Sequence, residues 1–103
     1  MQLTLEDGSE VRDPSADDIA TTLRLVDDRA NSYAILEASE ANYIQIAGDP
    51  AAGFVVEYHT ASPQGHYQLP TPASFEQAVW LFQSYACGDD AWRTVVQWRP
   101  IEL

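Results

Sequence analysis

Lysine is absent from this chain, and five arginines are its only strong cations against sixteen aspartates and glutamates. The net charge of −11 repels phosphate backbones and anionic membrane surfaces, so neither nucleic acid nor a membrane is an expected partner. Cysteine is nearly absent too. Cys87 stands alone, which excludes an intrachain disulfide and gives no reason to expect an oxidising compartment. No apolar run approaches the roughly 20 residues that a helix needs to cross a bilayer. The opening residues, Met1-Gln2-Leu3-Thr4-Leu5-Glu6-Asp7, lack a basic region followed by an apolar stretch. No secretory leader is therefore expected, and the chain reads as cytoplasmic. Also missing are the phosphate-cradling Walker loop, Gly-x-Gly-x-x-Gly, Cys-x-x-Cys, His-Glu-x-x-His and the Gly-x-Ser-x-Gly elbow. Catalysis has no support in the sequence, and no cofactor is expected.

What the chain does have is a core's worth of apolar residues. They make up 46% of 103 positions and include three Trp, five Tyr and three Phe, enough for one packed domain spanning residues 1–103. Residues 2–5 and 9–12 form a hairpin pattern around Glu6-Asp7-Gly8, with Gly8 left-handed in a bulged three-residue loop that sets Leu3 opposite Val11. Ser15 then reads as a helix cap with Asp18 three residues on, and Ile19, Leu23 and Val26 follow at helical spacing, so a helix is expected to about Asp28. Strand-like runs occupy 32–38, 42–47 and 54–60. Their short connections favour an antiparallel meander, because parallel crossovers need a dozen residues or more. A short strand at 66–69 follows. Ser74 and Gln77 open a second helix with the stripe Phe75, Val79, Phe82 and Ala86, flanked by Ala78, Leu81 and Tyr85, and Gly88 ends it. A last strand is expected at 94–99. The sum is an α+β fold: an antiparallel meander sheet of about five to six strands with two helices packed on one face.

Alternation sorts the strand residues, since positions two apart share a sheet face. Leu36, Ile44, Ile46, Phe54, Val56, Tyr58, Tyr67, Leu69, Val96 and Trp98 fall on the face that the helices should cover. Tyr33, Glu37, Tyr43, Gln45, Glu57, His59, His66, Gln68, Gln97 and Arg99 fall on the other. That second set mixes aromatic, amide and charged groups as a protein interface does, although an ordinary solvated sheet face has the same pattern.

Within it, Glu57, His59 and His66 are the one constellation with ligating chemistry. If residues 60–65 close a hairpin, the two histidines become cross-strand neighbours. Two imidazoles and a carboxylate suit Zn²⁺ or a contact that titrates near neutrality, while a solvated pair of strand histidines is the plainer alternative, and no metal site is assigned. Cys87 falls at a helix C-terminus beside Asp89 and Asp90, surroundings that disfavour a thiolate and hence a nucleophile. Asp27, Asp28, Asp89 and Asp90 sit near helix C-termini, where exposed negative charge costs about 0.3–1 kcal/mol per group unless the residues lie beyond the helix in solvated loops. Asp89 and Asp90 beside Trp92 form a candidate anchor for a basic partner, with packing of Trp92 beneath the helix end as the other reading.

Several phrases of the chain together resemble the immunity protein 1 family of bacterial polymorphic toxin systems. They are Ser32-Tyr33-Ala34-Ile35-Leu36, Tyr43-Ile44-Gln45, Gly53-Phe54-Val55-Val56-Glu57-Tyr58, His66-Tyr67, Gly88-Asp89-Asp90-Ala91-Trp92 and Val96-Gln97-Trp98. The resemblance implies a small α+β inhibitor that binds and blocks a cognate toxin, often a nucleic acid deaminase or nuclease, and has no catalytic residues of its own. Charge points the same way, because an acidic inhibitor is steered toward a basic cleft. The expected contact residues are Glu37, Tyr43, Gln45, Glu57, His59, Asp89, Asp90 and Trp92. A self-associating or ligand-binding accessory domain is the alternative, and the sequence leaves monomer and homodimer both open.

Overall fold

A computed structural model describes residues 1–27 and 31–101. It is an α+β protein with one antiparallel sheet. The chain runs β1 (Gln2–Leu5), β2 (Glu10–Arg12), α1 (Ala16–Leu23), β3 (Tyr33–Ser39), β4 (Asn42–Asp49), β5 (Gly53–Ala61), β6 (Gln64–Gln68), α2 (Phe75–Cys87), α3 (Ala91–Thr94) and β7 (Arg99–Pro100). The strands form a seven-stranded sheet in the order β2-β1-β3-β4-β5-β6-β7. The sheet is larger than five or six strands because the N-terminal hairpin joins it, β1 pairing with β3 with Leu3 opposite Leu36.

Local chemistry accounts for most of these elements. Gly8, at φ 91°, lets the Gly8 N–H reach Leu5 O at 3.0 Å and sets Leu3 opposite Val11, as the hairpin pattern requires. Ser15 and Asp18 close a reciprocal capping box at the start of α1. Ser74 Oγ accepts from the Gln77 N–H at 3.1 Å, and Gly88 ends α2 in the left-handed conformation. The 48–53 turn depends on its glycines. A Cβ on Gly48, at φ 130°, would stand 2.4 Å from Gly53 O, which no side chain can accommodate.

The core lies between one face of the sheet and the helices. Phe54, Phe82, Leu3, Leu36, Ile44, Ile46 and Val56 are fully buried. Helix α2 lies over β3, β4 and β5, and α1 packs against α2. The buried part of α2 centres on Ala78, Leu81 and Phe82, with Phe75, Val79 and Ala86 at its margin. The stripe is therefore rotated by about one position from the expected one. Both edges of the sheet are short, three residues in β2 and two in β7. Among the described residues, no helix is long and apolar enough to cross a membrane.

Two elements differ from the sequence reading. Helix α1 stops at Leu23 and not near Asp28, which lies outside the described residues. Val26 is nevertheless buried, through a tight turn in which its N–H meets Leu23 O at 3.1 Å. Burial thus continues the helical spacing without a helix. Asp27 lies beyond the helix end, so the dipole argument does not reach it. The expected strand at 94–99 is also replaced: Thr94 ends α3, and only Arg99 and Pro100 join the sheet, opposite Gln68 and Tyr67.

Candidate functional site: an uncovered sheet face

With both long helices on one side, the other side of the sheet is uncovered, and the strand register arranges its side chains in rows. One row runs Arg12, Gln2, Glu37, Tyr43, His59, His66 from β2 to β6. The next runs Glu10, Thr4, Ile35, Gln45, Glu57, Gln68, Arg99 across all seven strands. A third joins Tyr33, Ala47 and Val55, all exposed. One end of the face is therefore apolar, and the middle and far end carry amides, imidazoles and carboxylates. Ile35, Ala47 and Val55 were missing from the sequence-derived face. The same alternation that selected Tyr33 and Glu57 places them there.

Glu57 is the pivot of the central rows. Its Oε2 accepts from Gln45 Nε2 at 2.6 Å and from His66 Nε2 at 3.3 Å, and its side chain is 21% exposed. Both bonds fall on one oxygen, which fixes the carboxylate and leaves Oε1 without a partner among the described residues. His59 and His66 are cross-strand neighbours, with ring centroids 5.9 Å apart and edge to face. His59 also stacks on Tyr43 at 5.5 Å, and its Nδ1–H donates to the Ala41 carbonyl, tying the β3–β4 turn to β5. A neutral His59 ring thus carries its proton on Nδ1. Each histidine already spends one ring nitrogen inside the chain, and His66 Nδ1 is buried without a partner. No three His, Cys, Asp or Glu among the described residues are placed to hold a metal ion together.

Glu37, Tyr43, Gln45, Glu57 and His59 thus share one surface, and Asp89, Asp90 and Trp92 do not join it. Trp92 is only 7% exposed and lies under the sheet's covered face, its ring 4.8 Å from Tyr58 and 5.0 Å from Tyr85. It is the core residue of the two readings, not a contact residue. Asp89 is structural as well. Its carboxylate accepts from the Ser84 hydroxyl, from Ala91 N–H at 2.9 Å and from the Cys87 thiol at 2.9 Å. Ser84 Oγ in turn accepts from the buried Trp92 N–H at 3.0 Å. This network turns the chain from α2 into α3, and Ser84, a polar residue buried in α2, was the missing signal. Asp90 is exposed on that same side.

The bonds from Cys87, Ser84 and Ala91 hold the Asp89 carboxyl below its ordinary pKa of 3.8. A depressed folded-state value stabilises the fold above the unfolded pKa, and that contribution is lost as pH falls through the folded one. We expect Asp89→Asn to lower the melting temperature at pH 6, and the gap between variant and parent to narrow below pH 3.8. Thermal melts across pH check this, and a gap constant down to pH 2.5 (about a unit below the aspartate range) refutes it.

Other acids serve turns in the same way. Glu6 accepts from Ser32 N and Oγ, both at 2.7 Å, Asp49 accepts from Ala51 N and Ala52 N at 2.8 Å, and Asp13 pairs with the N-terminal ammonium. Part of the negative charge is thus accounted for by local structure. The exposed side-chain carboxylates of Glu10, Asp17, Glu37, Glu40, Glu76 and Asp90 accept no hydrogen bond from the described residues.

Fold and face together define an α+β domain with a seven-stranded antiparallel sheet that its helices cover on one side only. No protein-family model, curated protein or solved structure matches the chain.

Proposed function

We propose that the chain is an immunity-type inhibitor that binds and neutralises a cognate bacterial toxin domain by lying over a basic, nucleic-acid-processing cleft. The observation that carries this reading is the uncovered face, on which Glu57 is held by two neighbours with one oxygen left open, beside the stacked Tyr43 and His59. A carboxylate already fixed by its own protein loses little freedom on meeting a guanidinium or ammonium. Aromatic rings around such a group exclude water from the contact. The chain's charge of −11 adds steering toward a cationic partner and keeps two copies of the same face apart. In this reading the protein acts by occupying a surface in the cytoplasm, and turns over no substrate.

The test is to co-express the chain with the C-terminal domain of the protein encoded immediately upstream. That domain should be toxic alone, harmless with this chain, and recovered in complex with it, with association slowing as salt is raised. A neighbour that is not toxic, or one whose toxicity the chain leaves unrelieved, overturns the proposal. The exposed Tyr33, Ala47 and Val55 row favours self-association as a second reading. Light scattering at high protein concentration decides it, a monomer ruling it out.

A further inference from the structure

Arg93 carries one of few positive charges in an acidic chain, yet no carboxylate among the described residues pairs with it. The ion pairs among the described residues are Met1–Asp13 and Glu57–His66. Its guanidinium lies instead over two aromatic faces, 5.1 Å from the Trp92 ring centroid and 5.8 Å from that of Tyr58. Stacking of this kind fixes the plane of the group. One of its N–H groups donates to the Tyr58 phenol, and the fork's other donors remain for a second acceptor. The charge is also felt locally. Burial raises the Tyr58 and Tyr85 phenols above their ordinary pKa, and in both cases Arg93 opposes the rise.

Beside Arg93 is a cavity of about 280 Å³ lined by Tyr58, Thr60, Ser62, Pro63, Tyr67 and Arg93. Tyr58 and Tyr67 stack with centroids 4.7 Å apart and planes 16° from parallel. Tyr67 reaches this position by crossing Gly65, where a Cβ would stand 2.7 Å from the ring. Any larger residue at 65 would push the ring aside. Thr60 Oγ1 donates to Pro63 O at 2.8 Å and closes the 60–63 loop over the pocket. The Ser62 hydroxyl has no partner among the described residues.

We propose that this pocket binds a carboxylate carried on a flat or short apolar stem. The carboxylate meets the Arg93 edge, whose planar fork matches two oxygens at once, and the stem lies against Tyr67 and Pro63. A single compact charge fits this site better than a polyanion, which the chain's excess of acids repels. Aromatic walls with one convergent cation are the usual make-up of a small-ligand site. The pocket is on the helix-covered side of the β5–β6 hairpin, behind His59 and His66, and does not depend on the inhibitor reading.

Two sources supply such a group: a free small acid, or an acidic side chain of a bound protein. The ¹⁵N-labelled protein is titrated with sodium benzoate and, separately, with N-acetylglutamate N-methylamide, each against sodium chloride at matched ionic strength. Saturable shifts are expected at Arg93 Nε–H, the Trp92 indole and residues 58–67. Tighter binding of benzoate assigns the free acid, and tighter binding of the glutamate derivative assigns the side chain. Arg93→Gln should weaken either by roughly tenfold or more, and Arg93→Lys, which keeps the charge and loses the fork, by less. Unchanged dispersion elsewhere in the spectrum verifies the fold of each variant, and Arg93→Lys carries the comparison if the glutamine variant fails it. Shifts that only track chloride, or that persist undiminished in the variants, overturn the proposal.

Discussion

Phe54→Ala is expected to cost about 3–5 kcal/mol of folding stability, a large share of the roughly 5–15 kcal/mol that holds a domain of this size. Phe54 is fully buried where three elements meet. Its backbone exchanges two hydrogen bonds with Ala73, at 2.9 and 2.7 Å, just before α2 begins. Its ring lies 6.3 Å from Phe75 in the first turn of that helix. On the other side it pairs with Gly48 across the turn that positions β4 against β5. Truncation leaves a ring-sized void that backbone held on both sides cannot close. Phe54→Leu keeps most of the volume and should cost under about 1.5 kcal/mol. Urea unfolding distinguishes the two. A loss below about 1 kcal/mol for the alanine variant would mean that the sheet and α2 do not close-pack at this corner.

The second large effect is on binding. Reversing the charge at Glu57 with Glu57→Lys should weaken the complex with the proposed toxin by about 2 kcal/mol or more, which is roughly thirtyfold. The reversal also removes the bonds to Gln45 and His66, so Glu57→Gln is the necessary companion. Glutamine keeps the shape and an oxygen for Gln45 while removing the charge. Both variants should melt as cooperatively as the parent, and both should bind more weakly, the lysine variant most. Calorimetry on the purified pair measures this. Parental affinity in both would take Glu57 out of the interface and leave the uncovered face without its anchor.

Much of this architecture is legible in the sequence because the signals are local. Ser15 with Asp18, Ser74, and Gly88 mark helix ends through their own chemistry, and alternation from Tyr33 to His59 sorts the two faces of the sheet. The pairing of His59 with His66 follows from the length of one loop. The 94–99 segment misleads for an identifiable reason. Thr94, Val96 and Trp98 are strand-forming residues two apart, with Val95 between them, but tertiary contacts override that preference. Asp89 caps the Ala91 N–H, and Trp98 Nε1 donates to Trp92 O at 3.1 Å. The segment is thus bound to the core by its side chains, not by a ladder, and Val95 is left 65% exposed. The same holds for the site. Glu37, Tyr43, Gln45, Glu57 and His59 are found by period alone, whereas the burial of Trp92 depends on Ser84, eight residues away, and no pattern in the sequence links them.

The short margins of the sheet have a further effect. Long exposed strand edges invite other chains to add on by backbone pairing, whatever their side chains. Here β2 ends the sheet after three residues and β7 after two, the second of them a proline with no N–H to offer. Sideways growth therefore finds almost no template, even though the strands inside the sheet are long and rich in β-branched and aromatic residues. Backbone pairing at the margins is thereby discouraged, and contact with other chains falls to the side chains of the uncovered face.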